Sequence, residues 1–239
     1  MWLCREDGID GMKMAVLQTG RSIDGTRDVH GDYDDMCKAM LGRAPDEAVT
    51  FAVLDNNFPD DITAYDAVVI TGSSHGVYEP HSWIPPLEEL VRQAYREGVK
   101  LIGICFGHQI IAQALGGAVG KSDRGFGVGV MDYDLIDESG ASQKISLYAW
   151  HQDQVSVLPV DAEVIASSDF CQFAALRYGD RAMSFQAHPE FTRDYMNDLA
   201  EARRGGVISD EMGADAIASL SRPVDADRVK SLMVSFLEA

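Results

Sequence analysis

The sequence predicts an α/β domain with a mainly parallel sheet, helices on both faces and a small antiparallel extension, and three observations carry that prediction. Residues 99–104 form an apolar run with β-branched members (Val99, Ile102, Ile104), as a strand buried on both faces requires. At Cys105 the period changes, and Ile110, Ile111, Ala114 and Leu115 recur as on one side of a helix. Upstream, apolar runs alternate with helical patterns, the order that a parallel sheet with crossover helices produces. The 239 residues suit one such domain, because a single core stops growing near ~250–300 residues. Residues 1–11 read as a loose polar extension and 12–239 as the domain.

In chain order, residues 13–18 form the first strand and open into a loop over 19–25 that lacks the spacing of a phosphate-binding GxGxxG. Residues 33–41 have helical spacing, with Gly42 as the stop. Residues 49–54 and 66–71 are the second and third strands. The polar loop 71–79 follows the third, at the carboxyl end where open α/β sheets build their sites. Residues 83–97 read as a helix that tolerates Pro85 and Pro86 in its first turn and aligns Leu87, Leu90, Val91 and Ala94 on one face. Gly116 and Gly117 close the helix that starts after Cys105. The glycine-rich stretch 121–129 precedes an alternating strand over 128–136, so it reads as a turn and not as a phosphate loop. Residues 162–167, 171–177 and 182–186 are short strands of an antiparallel ribbon. Residues 192–204, 210–220 and 225–237 have helical spacing, bounded by Gly205, Gly206 and Pro223. Val229, Leu232, Met233, Phe236 and Leu237 are placed to pack on the sheet.

The chemistry concentrates at the strand-to-helix turn. Gly103 and Gly107 flank Cys105 two residues away on each side, the spacing of a nucleophile elbow, where close packing excludes a β-carbon. The thiol would stand at the first turn of a helix, where unpaired N–H groups and the helix dipole favour thiolate. The N–H of Phe106 is placed to meet an oxyanion. Far downstream, His188 and Glu190 are alternate residues and project together from an extended segment, with Pro189 ending further pairing. Nucleophile, base and orienter are then Cys105, His188 and Glu190. Cys171 has no flanking glycine pair and reads as a core residue. His75 and His81 read as loop histidines, and His151 as structural.

Composition excludes other classes. A formal charge of −18 repels a phosphate backbone, so neither nucleic acid nor an anionic membrane is an expected partner. No apolar run approaches the roughly 20 residues of a membrane span and the start lacks a signal-peptide core, so a cytoplasmic protein is expected. Four scattered cysteines make no CxxC pair. No His, Asp or Glu cluster has the i, i+4 spacing of a metal-binding helix, so neither metal nor cofactor is expected.

Gly103-Ile-Cys-Phe-Gly-His-Gln109 with Gln186-Ala-His-Pro-Glu190 resembles the class I (triad) glutamine amidotransferases. Trp150-His-Gln-Asp-Gln-Val155 is similar to the glutaminase domain of GMP synthase and its stand-alone relatives. The likeness runs from about Met14 to about Tyr195, leaving the C-terminal helices outside it. It implies a flavodoxin-like fold and hydrolysis of the γ-glutamyl amide of glutamine through a γ-glutamyl thioester, with ammonia passed to a separate synthase subunit. It further implies an oxyanion-hole N–H from Gly72 or Ser73, where Ser73 and Ser74 replace the family's second glycine and proline. Gln109 would contact the γ-glutamyl group, and Gln152 and Asp153 the α-amino and carboxylate groups. Two alternatives stay open: a stand-alone γ-glutamyl peptidase, and a regulatory or binding module with an inactive site.

Overall fold

Along β1 (Met14–Gln18), Met14 and Val16 turn to one face while Ala15 and Leu17 turn to the other, and all four are buried. Such a strand needs neighbours on both edges and cover on both faces. In the computed structural model, which describes residues 11–44, 46–137 and 139–239, it has both. The parallel strands β2 (Ala48–Ala52) and β3 (Ala67–Ile70) flank it, and β4 (Lys100–Ile104) pairs in parallel with β3. The helices α2 (Tyr33–Met40) and α7 (Ala226–Glu238) cover one face, where Cys37 and Met40 meet Val229, Met233, Phe236 and Leu237. The helices α3 (Ile84–Glu97) and α4 (Phe106–Ala114) cover the other through Leu87, Val91, Ile110 and Ile111. A four-residue helix, α1 (Arg27–His30), precedes α2. The C-terminal helix is thus part of the main core, as the spacing of its apolar residues predicts.

The sheet continues beyond β4 with changed polarity. The strands β9 (Glu163–Ser167), β10 (Ala175–Tyr178) and β11 (Ala182–Phe185) make the expected antiparallel ribbon, and β11 pairs in parallel with β4. On the far side of β9 lies a long antiparallel hairpin of β6 (Gly127–Ile136) and β7 (Ser142–His151). The strand order is β2-β1-β3-β4-β11-β10-β9-β6-β7. A separate two-stranded ribbon joins β5 (Ala118–Lys121) to β8 (Asp153–Val157). Two further helices follow β11: α5 (Arg193–Arg203), capped by the Thr192 hydroxyl, and α6 (Asp210–Ser219), capped by that of Ser209.

Several local expectations shift. β5, β7 and β8 were not legible as strands, since residues 142–144 are polar and exposed and only pairing with β6 orders them. The second strand stops at Ala52, where a tight turn over Val53–Asp55 ends on Asn56 with φ 61°. The strand expected over 171–177 starts only at Ala175. The Ser168 hydroxyl accepts the Cys171 N–H at 3.0 Å, offering that stretch a local turn in place of a ladder. The extension proposed for residues 1–11 lies, apart from Gly11, outside the described residues.

Candidate active site

Cys105 joins β4 to α4 with φ 51° and ψ −98°, a conformation that a side chain adopts only when its surroundings impose it. Three backbone hydrogen bonds do so. The Cys105 N–H donates to the Phe185 carbonyl at 2.8 Å, the Gly107 N–H to that of Thr71 at 3.2 Å, and the Gln109 N–H to that of Cys105 at 3.1 Å. The flanking glycines are demanded by close approach. A Cβ on Gly103 would lie 2.5 Å from the Gly107 carbonyl oxygen, and one on Gly107 would lie 2.2 Å from that of Ile70. The elbow therefore closes by packing the first turn of α4 onto β3 and β4 together. The Phe106 N–H belongs to that first turn, whose donors no helical carbonyl reaches.

The chain leaves the sheet after β11 and brings His188 to this turn. The Gln186 N–H donates to the Ala174 carbonyl and the His188 N–H to that of Tyr148, each at 2.8 Å. Residues 188–191 form a turn, with the Phe191 N–H 3.4 Å from the His188 carbonyl, so His188 and Glu190 meet across a turn and not along an extended strand. Pro189 has no N–H to continue the ladder. His188 Nδ1 lies 2.7 Å from Glu190 Oε1, with both side chains almost wholly buried. Gly72 borders both groups: a Cβ there would stand 3.3 Å from His188 Cε1 and 3.8 Å from Cys105 Cβ. Burial alone would lower the His188 pKa. The Glu190 carboxylate 2.7 Å away, with the neighbouring Cys105 adding to it, raises it well above the usual histidine value instead. The buried His188–Glu190 pair is thus built to hold an imidazolium next to the elbow.

Two residues that sequence reasoning assigned no role complete the surroundings. Gln186 donates from Nε2 to Cys105 Sγ at 3.5 Å, and its Oε1 accepts from Gln109 Nε2 at 3.1 Å. Phe191 stacks on the His188 ring, with centroids 4.0 Å apart and planes at 8°. Gln186 stood in the motif that carries the family resemblance without a role of its own, and Phe191 had only its place after the His-Pro-Glu triplet.

Two of the three predicted substrate contacts, Gln109 and Asp153, meet each other. Gln109 is buried, and its Nε2 also donates to the Asp153 carbonyl at 2.9 Å, so both amide hydrogens are committed and its Oε1 remains to accept. Asp153 takes the Tyr78 hydroxyl on Oδ2 at 3.0 Å, which ties the loop 72–79 to residues 150–154. Burial and this carboxylate push the Tyr78 phenol up to about 12. The Gln152 carbonyl accepts from the Ser122 N–H at 3.0 Å. Ser73 is a clasp where the family pattern has glycine: its hydroxyl donates to the Thr19 carbonyl at 2.8 Å and accepts from the His75 N–H at 3.2 Å. His151 is held by other partners. Its Nδ1 lies 3.3 Å from the Asp153 carbonyl, its ring meets Phe170 edge-on, and burial together with the His188 charge pushes it down to about 3.

Comparisons with known proteins bear on the family and the fold. The model of the family described as glutamine amidotransferase class-I matches residues 29–199. γ-Glutamyl peptidase 3 of Arabidopsis thaliana is 27% identical over 223 residues, covering 87% of this chain and 90% of the relative. One component of the glutamine-hydrolysing GMP synthase of Methanococcoides burtonii is 38% identical over 105 residues, 41% of this chain and 55% of that component. The crystal structure of a glutamine amidotransferase from Thermotoga maritima superposes with a TM-score of 0.71 at 19% identity, covering 95% of this chain and 97% of that one, which shows a shared fold. With the family model spanning most of the chain from α1 to α5, this protein belongs to the class I glutamine amidotransferases and is a hydrolase acting on γ-glutamyl amides.

Proposed function

We propose that Cys105 is the nucleophile, His188 the base and Glu190 its orienter, in hydrolysis of a γ-glutamyl C–N bond through a γ-glutamyl thioester. The observation that carries this reading is the positive-φ cysteine at a helix start, abutted by a buried His–Glu pair. The Cys105 thiolate adds to the γ-carbonyl carbon, and the N–H groups of Phe106 and of Gly72 or Ser73 receive the oxyanion. Collapse breaks the C–N bond, with the His188 imidazolium protonating the departing amine. His188 then takes a proton from water, whose oxygen displaces the sulfur to give glutamate. Glu190 stabilises the imidazolium in both halves. In this reading Gln109, whose amide hydrogens are already committed, accepts from the γ-glutamyl group through Oε1, and the 152–153 segment holds the α-amino and carboxylate groups.

The leaving group separates two readings. A γ-glutamyl peptide, cleaved without a partner, is supported by a likeness to γ-glutamyl peptidase 3 that spans nearly the whole of both chains. Ammonia released to a separate synthase, the expectation from the motifs, is supported by the higher identity to the GMP synthase component over a shorter stretch. The greater span favours the peptidase reading. In the synthase reading, a basic partner face would dock on this acidic chain around residues 72–79 and 150–154. Steady-state rates of the purified protein on glutamine and on γ-glutamyl dipeptides decide between them. Rapid dipeptide turnover with little glutamine turnover is expected, and the reverse preference would restore the synthase reading.

A further inference from the structure

The loop from β3 to α3 carries a group of side chains for which amide hydrolysis has no use. His81 Nε2 lies 2.8 Å from Glu79 Oε2, and His75 Nδ1 lies 3.3 Å from the same oxygen. One donor atom from each of the three residues falls within 4.8 Å of the others. The side chains are 35–39% exposed, open to an ion from solvent.

The loop is held in shape before any ion arrives. The Glu79 N–H donates to the Gly76 carbonyl at 3.0 Å and the His81 N–H to that of Glu79 at 2.8 Å. Val77 is buried, and its carbonyl accepts from Gln113 Nε2 of α4 at 3.0 Å. The His81 ring lies nearly parallel to that of Trp83, 5.8 Å away, and Trp83 packs at 5.4 Å on Phe106, the residue after the elbow cysteine.

Two imidazole nitrogens and one carboxylate oxygen are the donor set that takes a borderline divalent ion and leaves a fourth position for water. Ca²⁺ and Mg²⁺ want all-oxygen surroundings. At bond lengths near ~2.0–2.2 Å, tetrahedral donors stand roughly 3.3 Å apart. The His75–Glu79 edge already has that length, and the His81–Glu79 edge needs only a small opening of exposed side chains. We propose that His75, Glu79 and His81 form a Zn²⁺-class metal site on the loop that carries Gly72 and Ser73. An ion there braces this loop on both sides: through the His75 N–H to the Ser73 hydroxyl, and through His81 and Trp83 to Phe106. His75 and Glu79 stand four residues apart in a turn and not on a helix, so their spacing does not announce the site.

Calorimetric titration of the tag-free, metal-stripped protein with Zn²⁺ tests the proposal, using the Cys105→Ala variant so that the elbow thiolate cannot bind the ion. One ion per chain is expected. The affinity should fall at least about tenfold on His75→Ala, Glu79→Gln or His81→Ala, and stay unchanged on His30→Ala, whose ring pairs with Asp198 elsewhere. X-ray absorption of the zinc-loaded Cys105→Ala protein gives a readout independent of the loop variants, with only nitrogen and oxygen ligands expected. The absence of saturable binding, binding indifferent to all three loop substitutions, or a sulfur ligand near ~2.3 Å would each overturn the site.

Discussion

Cys105 differs from the other described cysteines in what surrounds it and not in how deeply it lies. All three are buried, yet burial pushes the Cys171 thiol up to about 12 and raises that of Cys37 as well, which keeps both protonated and inert. Cys105 alone stands at a helix start with an imidazole and the Gln186 amide beside its sulfur. Cys105→Ala and Cys105→Ser should each lower kcat for γ-glutamyl hydrolysis by on the order of 10⁴-fold or more with the melting temperature preserved, since removing the proposed nucleophile forfeits the whole covalent route. Cys171→Ala should keep its activity. Substantial turnover by either Cys105 variant, measured on the same substrate, would remove that residue from its role. Ser73 teaches a related lesson: a departure from the family pattern is compensated locally, its hydroxyl holding the loop to Thr19.

At the scale of elements, the elbow is a three-way contact among β3, β4 and α4, and its two glycines mark where backbones touch. The closest approach, 2.2 Å from a Gly107 Cβ to the Ile70 carbonyl oxygen, involves backbone that cannot step aside without moving β3 away from α4. Gly107→Ala should therefore destabilise the fold by about 3 kcal/mol, at the upper end of overpacking costs. It should also lower kcat in whatever fraction still folds, because Thr71, whose carbonyl accepts the Gly107 N–H, adjoins the loop of Gly72 and Ser73. Chemical denaturation reads the first effect and assay of the folded fraction the second. Gly116→Ala is a useful contrast, since no atom lies within 4 Å of the added carbon and only its φ of 95° resists. Wild-type stability and rate in Gly107→Ala would mean that the elbow is looser than its contacts indicate.

For the whole molecule, buried histidines set the acid limb of stability. His108 is wholly buried, with Nδ1 2.9 Å from the Ser184 hydroxyl, and burial pushes it down to about 3; burial, aided by the His188 charge, does the same to His151. An unfolded histidine titrates near ~6.5, so below that pH the unfolded chain binds more protons than the folded one. The stability these two contribute is fully present above ~6.5 and is lost as pH falls towards their folded values, each at about 1.4 kcal/mol per pH unit. His188 has the opposite sign. Its pKa is raised in the fold, so its contribution is complete below ~6.5 and is lost as pH rises through the folded value. Urea midpoints should accordingly fall between pH 6 and pH 5 by an amount worth on the order of 2 kcal/mol. A flat profile across that interval would show that His108 and His151 are not held neutral. Among the described residues no helix is long and apolar enough to cross a membrane, in keeping with the short apolar runs of the sequence.

By itself the sequence determined the elbow and the parallel half of the sheet, because each is written in local spacing, whereas it named His188 and Glu190 but gave them an extended geometry that a turn replaces. Glycines two residues from a cysteine, a period changing from strand to helix, and apolar runs buried on both faces do not depend on distant partners for their meaning. The β6–β7 hairpin and the β5–β8 ribbon were decided only in three dimensions, since residues 142–144 and 118–121 are exposed or half-buried and become strands through the partner that hydrogen-bonds to them. The same holds for the details of the site. Gln186 donates to the sulfur because β11 lies beside β4, Phe191 covers His188 because a turn follows Pro189, and His75, Glu79 and His81 converge because a loop folds back on itself. Contacts between residues far apart in the chain, or within irregular turns, leave no period in the sequence, and only the packed structure brings such side chains within bonding distance.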